Sequence, residues 1–157
     1  MDRATPISMS LRARSGPVAR QAFDRGAGSF GVARALTRPQ ALIVDDCRFI
    51  AERVARTLEA RGFDCLIAGD GYAGLKLTRH CRFDLFVLDV DMPYIDGFSL
   101  LRQLRDDPVH ADALVLILAA EPSELDRARA LELGASGYMT KPLQLRPLNA
   151  MVDSMMG

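Results

Sequence analysis

Five short strand-like runs alternate with segments of helical periodicity between residues 41 and 156, and this alternation restricts the possible folds more than any other feature of the sequence. The runs are, in chain order, ALIVDD, FDCLIA, DLFVLD, ALVLILAA and SGYMT. Between them, apolar residues recur three or four positions apart, as in amphipathic helices. Strands that alternate with helices form parallel sheets with right-handed crossovers. The sequence therefore predicts one α/β domain, an open parallel sheet with helices on both faces.

Glycine, proline and apolar periodicity predict where several of the helices lie. The first helix has Ile50, Val54 and Leu58 on one face and is expected to stop at Gly62. Pro122 is expected in the first turn of the fourth helix, because an amide hydrogen at that position has no partner within the helix. The last helix carries its apolar face at Leu145, Leu148, Val152 and Met155.

Residues 1–38 differ in composition from the rest of the chain. The first 40 residues hold seven arginines and two aspartates, whereas the remaining residues hold 13 basic and 18 acidic side chains. Apolar clusters in residues 1–38 are short, so we expect a largely disordered basic extension with one helical turn near residues 18–23, before a globular domain at residues 39–157. Such an extension could dock on nucleic acid or an acidic partner. Basic and aromatic residues do not interleave there, so direct nucleic-acid binding is not expected.

Cysteine content and hydropathy indicate the cellular compartment. Cys47, Cys65 and Cys81 are odd in number and form no C-x-x-C pair, which indicates neither a zinc site nor a disulfide framework. No apolar run approaches the roughly 20 residues that a membrane-spanning helix needs. We therefore expect a cytoplasmic protein without a membrane partner.

Charged residues follow several of the predicted strands, at the edge of the sheet where ligands bind. Asp45 and Asp46 end the first strand, Asp89 ends the third, and Lys141 follows the fifth. Three crowded carboxylates repel one another unless a cation lies between them, and Mg²⁺ is the cation that best suits oxygen ligands shared with phosphate. Lys141 could then neutralise a phosphoryl oxygen as a compact charge. The pattern predicts metal-assisted phosphoryl chemistry.

Each of these features taken alone has a structural explanation. An Asp-Asp pair after a strand often caps a helix, and MPYIDG could consist of two consecutive turns. Asp91 and Glu121 are most simply explained as solvated loop acids, although they could also tune the lifetime of a bound phosphoryl group. The occurrence of such features at successive strand ends favours a functional site.

Four stretches of the chain, LIVDD, DLFVLDVDMPYIDG, LAAEP and GASGYMTKP, resemble the receiver domain of two-component response regulators in their order and spacing. The resemblance covers roughly residues 41–156. It implies a flavodoxin-like (βα)5 fold, a three-layer sandwich whose parallel sheet has the strand order 2-1-3-4-5. It also implies a cis peptide bond between Lys141 and Pro142.

The resemblance assigns roles to individual residues. Asp89 would accept a phosphoryl group from a histidine kinase or a histidine phosphotransfer protein. Asp45 and Asp46 would join Asp89 in binding Mg²⁺, the backbone carbonyl of Asp91 would complete the metal ligands of the protein, and Lys141 would contact the phosphoryl group. The chain would be a regulatory phosphoacceptor that catalyses only its own phosphorylation and dephosphorylation. We expect no attached output domain and signalling by contact with a downstream protein; pairing of two copies through the last helix stays open.

One position departs from the family pattern. The family usually ends its fourth strand with Thr or Ser, whose hydroxyl turns to the phosphoryl group and lets an aromatic residue, here Tyr138, move inward. This chain has Ala119 at that position, which cannot donate the hydrogen bond. We therefore hypothesise weak or atypical coupling between phosphorylation and output. The alternative is an interaction module that keeps the fold and works without phosphorylation.

A second alternative is an enzyme. The sequence Asp89-Val90-Asp91 also matches the D-x-D motif of haloacid dehalogenase-like phosphohydrolases, in which one Asp is the nucleophile and the other an acid and base. That family places its motif near the N-terminal strand with an acid pair later in the chain. Here the acid pair precedes the motif, so the order argues against the enzyme.

Overall fold

Every strand-like run forms a strand, and one helix follows each strand. The computed structural model describes residues 37–157, so the helical turn expected near residues 18–23 and most of the expected extension lie outside the described residues. The strands are β1 Gln40–Val44, β2 Asp64–Ala68, β3 Leu85–Asp89, β4 Leu114–Ala119 and β5 Gly137–Thr140. The helices are α1 Arg48–Ala60, α2 Gly71–Thr78, α3 Gly97–Asp106, α4 Glu124–Glu132 and α5 Leu145–Met156.

The five strands form one parallel sheet in the order β2-β1-β3-β4-β5, which confirms the predicted order and the flavodoxin-like architecture. Every residue of β3 is buried, as expected of a strand that helices cover on both faces. Because β1 and β3 are neighbours, the residues that follow them leave the same edge of the sheet side by side. Within residues 37–157, no helix has the length and apolar composition needed to cross a bilayer.

A buried histidine supports the amino end of β3. His110 is fully buried, and its Nε2 accepts a hydrogen bond of 3.1 Å from the backbone N–H of Phe83. The proton of the neutral ring therefore lies on Nδ1, which is 2.8 Å from Oδ2 of Asp107. Phe83 and Phe86 pack against the ring. The sequence contains no local signal for this contact, because the histidine and the strand belong to different elements.

The helix ends agree with the sequence in most places and differ in one. Gly62 and Gly134 follow α1 and α4 with φ values of 100° and 95°, the left-handed conformation that favours glycine. The prediction for Pro122 was wrong: the hydroxyl of Ser123 accepts a hydrogen bond from the N–H of Asp126, so Ser123 is the N-cap and α4 begins after it. Proline therefore precedes the cap instead of lying in the first turn.

The first described residues are bound to the amino edge of the sheet. The guanidinium of Arg38 lies 3.2 Å from the buried carboxylate of Asp64 and donates a hydrogen bond of 2.9 Å to the carbonyl of Gly62. Asp64 begins β2, and Gly62 ends the turn before it. Arg38, which the sequence assigned to the extension, thus contacts the folded domain at the edge opposite the acidic residues.

Candidate functional site

Three carboxylates meet at the carboxyl edge of the sheet. Asp45 and Asp46 follow β1, and Asp89 is the last residue of β3. Asp45 and Asp89 are buried, whereas Asp46 is exposed. One oxygen from each of the three carboxylates lies within 4.8 Å of the other two. The structure therefore brings together the three acids that the sequence placed at separate strand ends.

Lys141 reaches the same cluster from the far side of the sheet. Its Nζ lies 3.2 Å from Oδ2 of Asp45 and 3.2 Å from Oδ1 of Asp89. Since β4 separates β5 from β3, this side chain has to cross the end of β4, where the residue is the small Ala119. The backbone N–H of Lys141 donates to the carbonyl of Ala119, and the peptide bond between Lys141 and Pro142 is cis. The ammonium thus bridges the two buried carboxylates.

The electrostatics of the cluster are unfavourable for Asp89. Burial and, to a smaller extent, the carboxylate of Asp45 raise the pKa of the Asp89 carboxyl to about 6, against the opposing influence of Lys141. Burial would lower the pKa of the Lys141 ammonium, but Asp45 and Asp89 outweigh burial and raise that pKa. The lysine stays charged at neutral pH, and the cluster still holds more negative than positive charge.

The chemistry of the ligand atoms fits a small divalent cation. Oδ1 of Asp45 accepts a hydrogen bond of 2.8 Å from the N–H of Cys47, while the buried Oδ2 has no hydrogen bond and is held by the Lys141 ion pair alone. A buried charged oxygen with so few partners is costly unless a cation lies nearby. Mg²⁺ prefers carboxylate oxygens and keeps several waters, which the exposed Asp46 side of the cluster permits. The residues present therefore fit Mg²⁺.

Asp91 connects the cluster to the loop after β4. Its N–H donates a hydrogen bond of 3.2 Å to Oδ1 of Asp89, and its Oδ2 accepts one of 3.3 Å from the N–H of Ala120. From the sequence, the side chain of Asp91 was expected to be a solvated loop acid and its backbone carbonyl a metal ligand. The contact of its side chain with Ala120 was not foreseen. The role of its carbonyl as a metal ligand stays a prediction.

The two predicted switch residues are both buried. Tyr138 pairs with Ile117 across the sheet, and Ala119 ends β4 two residues further along. The hydroxyl of Tyr138 has no hydrogen-bond partner, and the guanidinium of Arg127 lies 5.5 Å from the centre of its ring. Tyr138 and Lys141 both line a cavity of about 410 Å³ between α4 and the start of α5. The aromatic ring therefore already occupies an inward position.

Fold, strand order and acidic cluster together define a receiver domain, and sequence comparison assigns the family. The family described as response regulator receiver domain matches residues 41–153. The chain belongs to this family.

Particular relatives are regulatory proteins about one and a half times as long as this chain. The chain is 39% identical over 115 residues to the alkaline phosphatase synthesis transcriptional regulatory protein PhoP of Bacillus subtilis. This match covers 73% of this chain and 47% of that protein. It is 36% identical over 118 residues to the DNA-binding dual master transcriptional regulator RpaA of Synechocystis, across 75% of this chain and 49% of that protein. The chain thus spans about half the length of the curated relatives it matches.

A solved structure of a shorter protein matches over its whole length. The chemotaxis protein CheY4 of Vibrio cholerae superposes with a TM-score of 0.71 at 28% identity, over 76% of this chain and 99% of that chain. The described domain therefore aligns with almost all of that chain.

Proposed function

We propose that this chain accepts a phosphoryl group on Asp89 from a phosphohistidine of a histidine kinase or histidine phosphotransfer protein, with Mg²⁺ as cofactor. The observation that carries the proposal is the Lys141 ammonium 3.2 Å from both buried carboxylates, with a third carboxylate beside them. This arrangement supplies a nucleophile, a fixed positive charge and a set of oxygen ligands within one crevice. Membership of the receiver family supports the same function.

The residues of the cluster divide the chemistry among them. An oxygen of the ionised Asp89 carboxylate attacks phosphorus, a new O–P bond forms, and the P–N bond to the donor imidazole breaks with its electron pair going to the imidazole. Lys141 neutralises charge on the transferred oxygens. Asp45, Asp46, Asp89 and the carbonyl of Asp91 would hold Mg²⁺, which supplies further charge neutralisation. The N–H of Asp91 orients the Asp89 carboxylate through its hydrogen bond.

The acyl phosphate would act as a signal read by another protein. The named relatives are transcriptional regulators, but the match covers only about half of each, so their DNA-binding activity is not carried over to this chain. Contact with a downstream protein is the output that the described domain itself can provide. The chain would act as a phosphoacceptor that catalyses only its own phosphorylation and dephosphorylation.

Incubation with acetyl phosphate tests the proposal directly. With Mg²⁺ present, the intact mass is expected to rise by one phosphoryl group, and peptide mapping after borohydride reduction should locate the group on Asp89. Chelation of divalent cations should prevent the mass change, because the carboxylates and Lys141 alone leave the attacking oxygen near uncompensated negative charge. Modification at another residue, or an unchanged mass in Mg²⁺, would refute the proposal. Continuous release of inorganic phosphate from a phosphomonoester would instead support the phosphohydrolase alternative.

A module that binds its partner without phosphorylation is the second candidate. Two observations favour it: Ala119 has no hydroxyl, and the ring of Tyr138 is buried although Asp89 carries no phosphoryl group. The inward position that the family reaches on phosphorylation is therefore already occupied. The intact acid cluster and Lys141 favour the phosphoacceptor, and the two candidates differ in whether Asp89 is labelled.

Ala119→Thr is expected to increase the structural response to phosphorylation. A hydrogen bond to a charged group contributes about 1.5–3 kcal/mol, comparable with typical allosteric coupling of about 1–3 kcal/mol. Hydrogen exchange of α4 and β5, measured with and without acetyl phosphate, should change little in the parent and clearly in the Thr variant. Ala119→Val, of similar volume to Thr but without a hydroxyl, is the matched control. Equal responses in all three chains would contradict the proposed role of Ala119.

A further inference from the structure

Tyr94 has an unusual backbone conformation for a large side chain. Among residues 37–157 it is the one non-glycine residue with a positive φ, at 68°. The N–H of Ile95 donates a hydrogen bond of 2.8 Å to the carbonyl of Pro93, which makes Tyr94 the centre of a γ-turn of the rare, strained form. Nevertheless, 89% of the side chain is exposed, so burial does not offset the strain. Strain of this kind persists mainly at functional sites.

Tyr94 is one of a pair of exposed aromatic residues. Tyr72, in the first turn of α2, is 63% exposed, and its ring centre lies 6.4 Å from that of Tyr94. The loops that carry the two rings are packed tightly: a Cβ on Gly71 would lie 2.7 Å from Cβ of Ile95. Single exposed apolar residues are ordinary. Two neighbouring tyrosines on closely packed loops instead form an exposed aromatic surface that another protein can contact.

The location of the pair restricts what could cover it. Tyr94 belongs to the loop that leaves Asp89, and Tyr72 follows β2, so both lie at the carboxyl edge of the sheet with the acid cluster. Asp89 is only 1% exposed and lies at the floor of its crevice. A protein that hands a phosphoryl group to this carboxylate must bring its histidine into the crevice, and its surface must then press against the surrounding loops. A small phosphodonor has no such requirement.

We propose that Tyr72 and Tyr94 form a docking surface for the histidine-bearing protein that phosphorylates Asp89, an inference that rests on the proposed function. Tyrosine is enriched among residues that dominate binding at interfaces, because a large rigid ring loses little conformational freedom there. The exposed carboxylate of Asp91 beside the crevice, which is not among the proposed Mg²⁺ ligands, favours a partner whose contacting surface is basic around the histidine. The tyrosine pair supplies affinity and takes no part in the phosphoryl transfer itself.

Comparison of a protein donor with a small donor tests the docking surface. The variants are Tyr94→Gly, which accepts the positive φ without strain, and the double variant Tyr72→Ala/Tyr94→Gly. The protein donor is a purified histidine phosphotransfer domain, labelled on its histidine and selected from the same organism by its ability to phosphorylate the parent chain. The small donor is acetyl phosphate. Val109→Ala is the control, since Val109 is exposed on the α3–β4 loop at the opposite edge of the sheet.

The double variant is expected to lose about tenfold or more in kcat/KM with the protein donor, mainly through a higher KM, as for a loss of binding. Its labelling by acetyl phosphate should stay within about twofold of the parent, and Val109→Ala should match the parent with both donors. Tyr94→Gly should unfold at the same or a higher temperature, which separates lost docking from misfolding.

Three results would overturn the docking surface: unchanged transfer from the protein donor, an equal fall with both donors, or a parent chain that takes phosphate from acetyl phosphate but from no histidine kinase or phosphotransfer domain of its organism. In each of these cases, labelling of Asp89 by acetyl phosphate is measured separately from transfer by the protein donor. Failure of the docking proposal is thus distinguishable from failure of the phosphoacceptor function.

Discussion

An Asp89→Asn chain is expected to gain no phosphoryl group from acetyl phosphate and, in metal-free buffer at pH 7, to be more stable than the parent. The first effect follows because the amide lacks the nucleophilic carboxylate oxygen. The second follows because burial and Asp45 raise the pKa of Asp89 from 3.8 to about 6, so the ionised form is disfavoured in the folded state. This shift, which already includes the opposing ion pair with Lys141, corresponds to a gain in stability of about 3 kcal/mol at most for the Asn variant.

The stability difference between the Asn variant and the parent should depend on pH. The folded parent holds the Asp89 proton more tightly than the unfolded chain does. Below about pH 4 Asp89 is protonated in both states, so its charge does not lower the free energy of unfolding there. The parent loses stability as pH rises from about 4 through the folded pKa of about 6, whereas the Asn variant does not. The difference in unfolding free energy should therefore be small near pH 4 and largest above pH 6.

Urea unfolding with and without Mg²⁺ measures this effect. Mg²⁺ should stabilise the parent more than the Asn variant, because it offsets the charge that the substitution removes. Asp106→Asn, which removes an exposed carboxylate at the end of α3, should change stability by no more than about 0.5 kcal/mol. A variant that is less stable than the parent at pH 7 in metal-free buffer would show that the cluster is not strained by charge.

Gly97→Ala is expected to destabilise the fold by about 1–3 kcal/mol and to slow labelling of Asp89. Gly97 begins α3, and a Cβ there would lie 2.6 Å from the carbonyl oxygen of Asp89 and 3.1 Å from Cα of Val90. Both neighbours are backbone atoms, so the helix or the end of β3 must move. Because β3 carries the phosphoacceptor, the same displacement would disturb its contacts with Lys141.

Gly69→Ala is the matched control for this substitution. Gly69 follows β2 on the same edge of the sheet, but a Cβ there meets no atom within 4 Å, and its φ is not in the left-handed region. Its free energy of unfolding in urea should match that of the parent within about 0.5 kcal/mol. Similar stabilities for the parent and both alanine variants would contradict the prediction, because they would show that the contact between α3 and the end of β3 tolerates a side chain at position 97.

Much of the fold could be predicted because it depends on local patterns. The apolar run that forms β3 and the four-residue spacing of Ile50, Val54 and Leu58 specify a strand and a helix within a few residues of chain. Alternation of such elements permits few topologies. The position of Pro122 was predicted wrongly because two local signals competed there, and the hydroxyl of Ser123 caps the helix one residue after the proline.

The acid cluster was predictable only in part. Asp45, Asp46 and Asp89 follow neighbouring strands, so a parallel sheet places them together whatever the details of packing. Lys141 is different, because its strand is not adjacent to β3, and its contact with Asp89 depends on crossing the end of β4. The family resemblance predicted a role for Lys141 in contacting the phosphoryl group, and the tertiary structure gave its 3.2 Å distances from the two carboxylates.

The sequence by itself thus determined the order of the elements and the edge of the sheet at which the carboxylates collect, since both follow from periodicity along the chain. Only the tertiary structure decided the bond from Phe83 to the buried His110, the contact of Asp91 with Ala120 and the pairing of Tyr72 with Tyr94. Each joins residues from different loops or elements. Their distances depend on how helices and loops pack on the sheet, and no local pattern in the sequence records that packing.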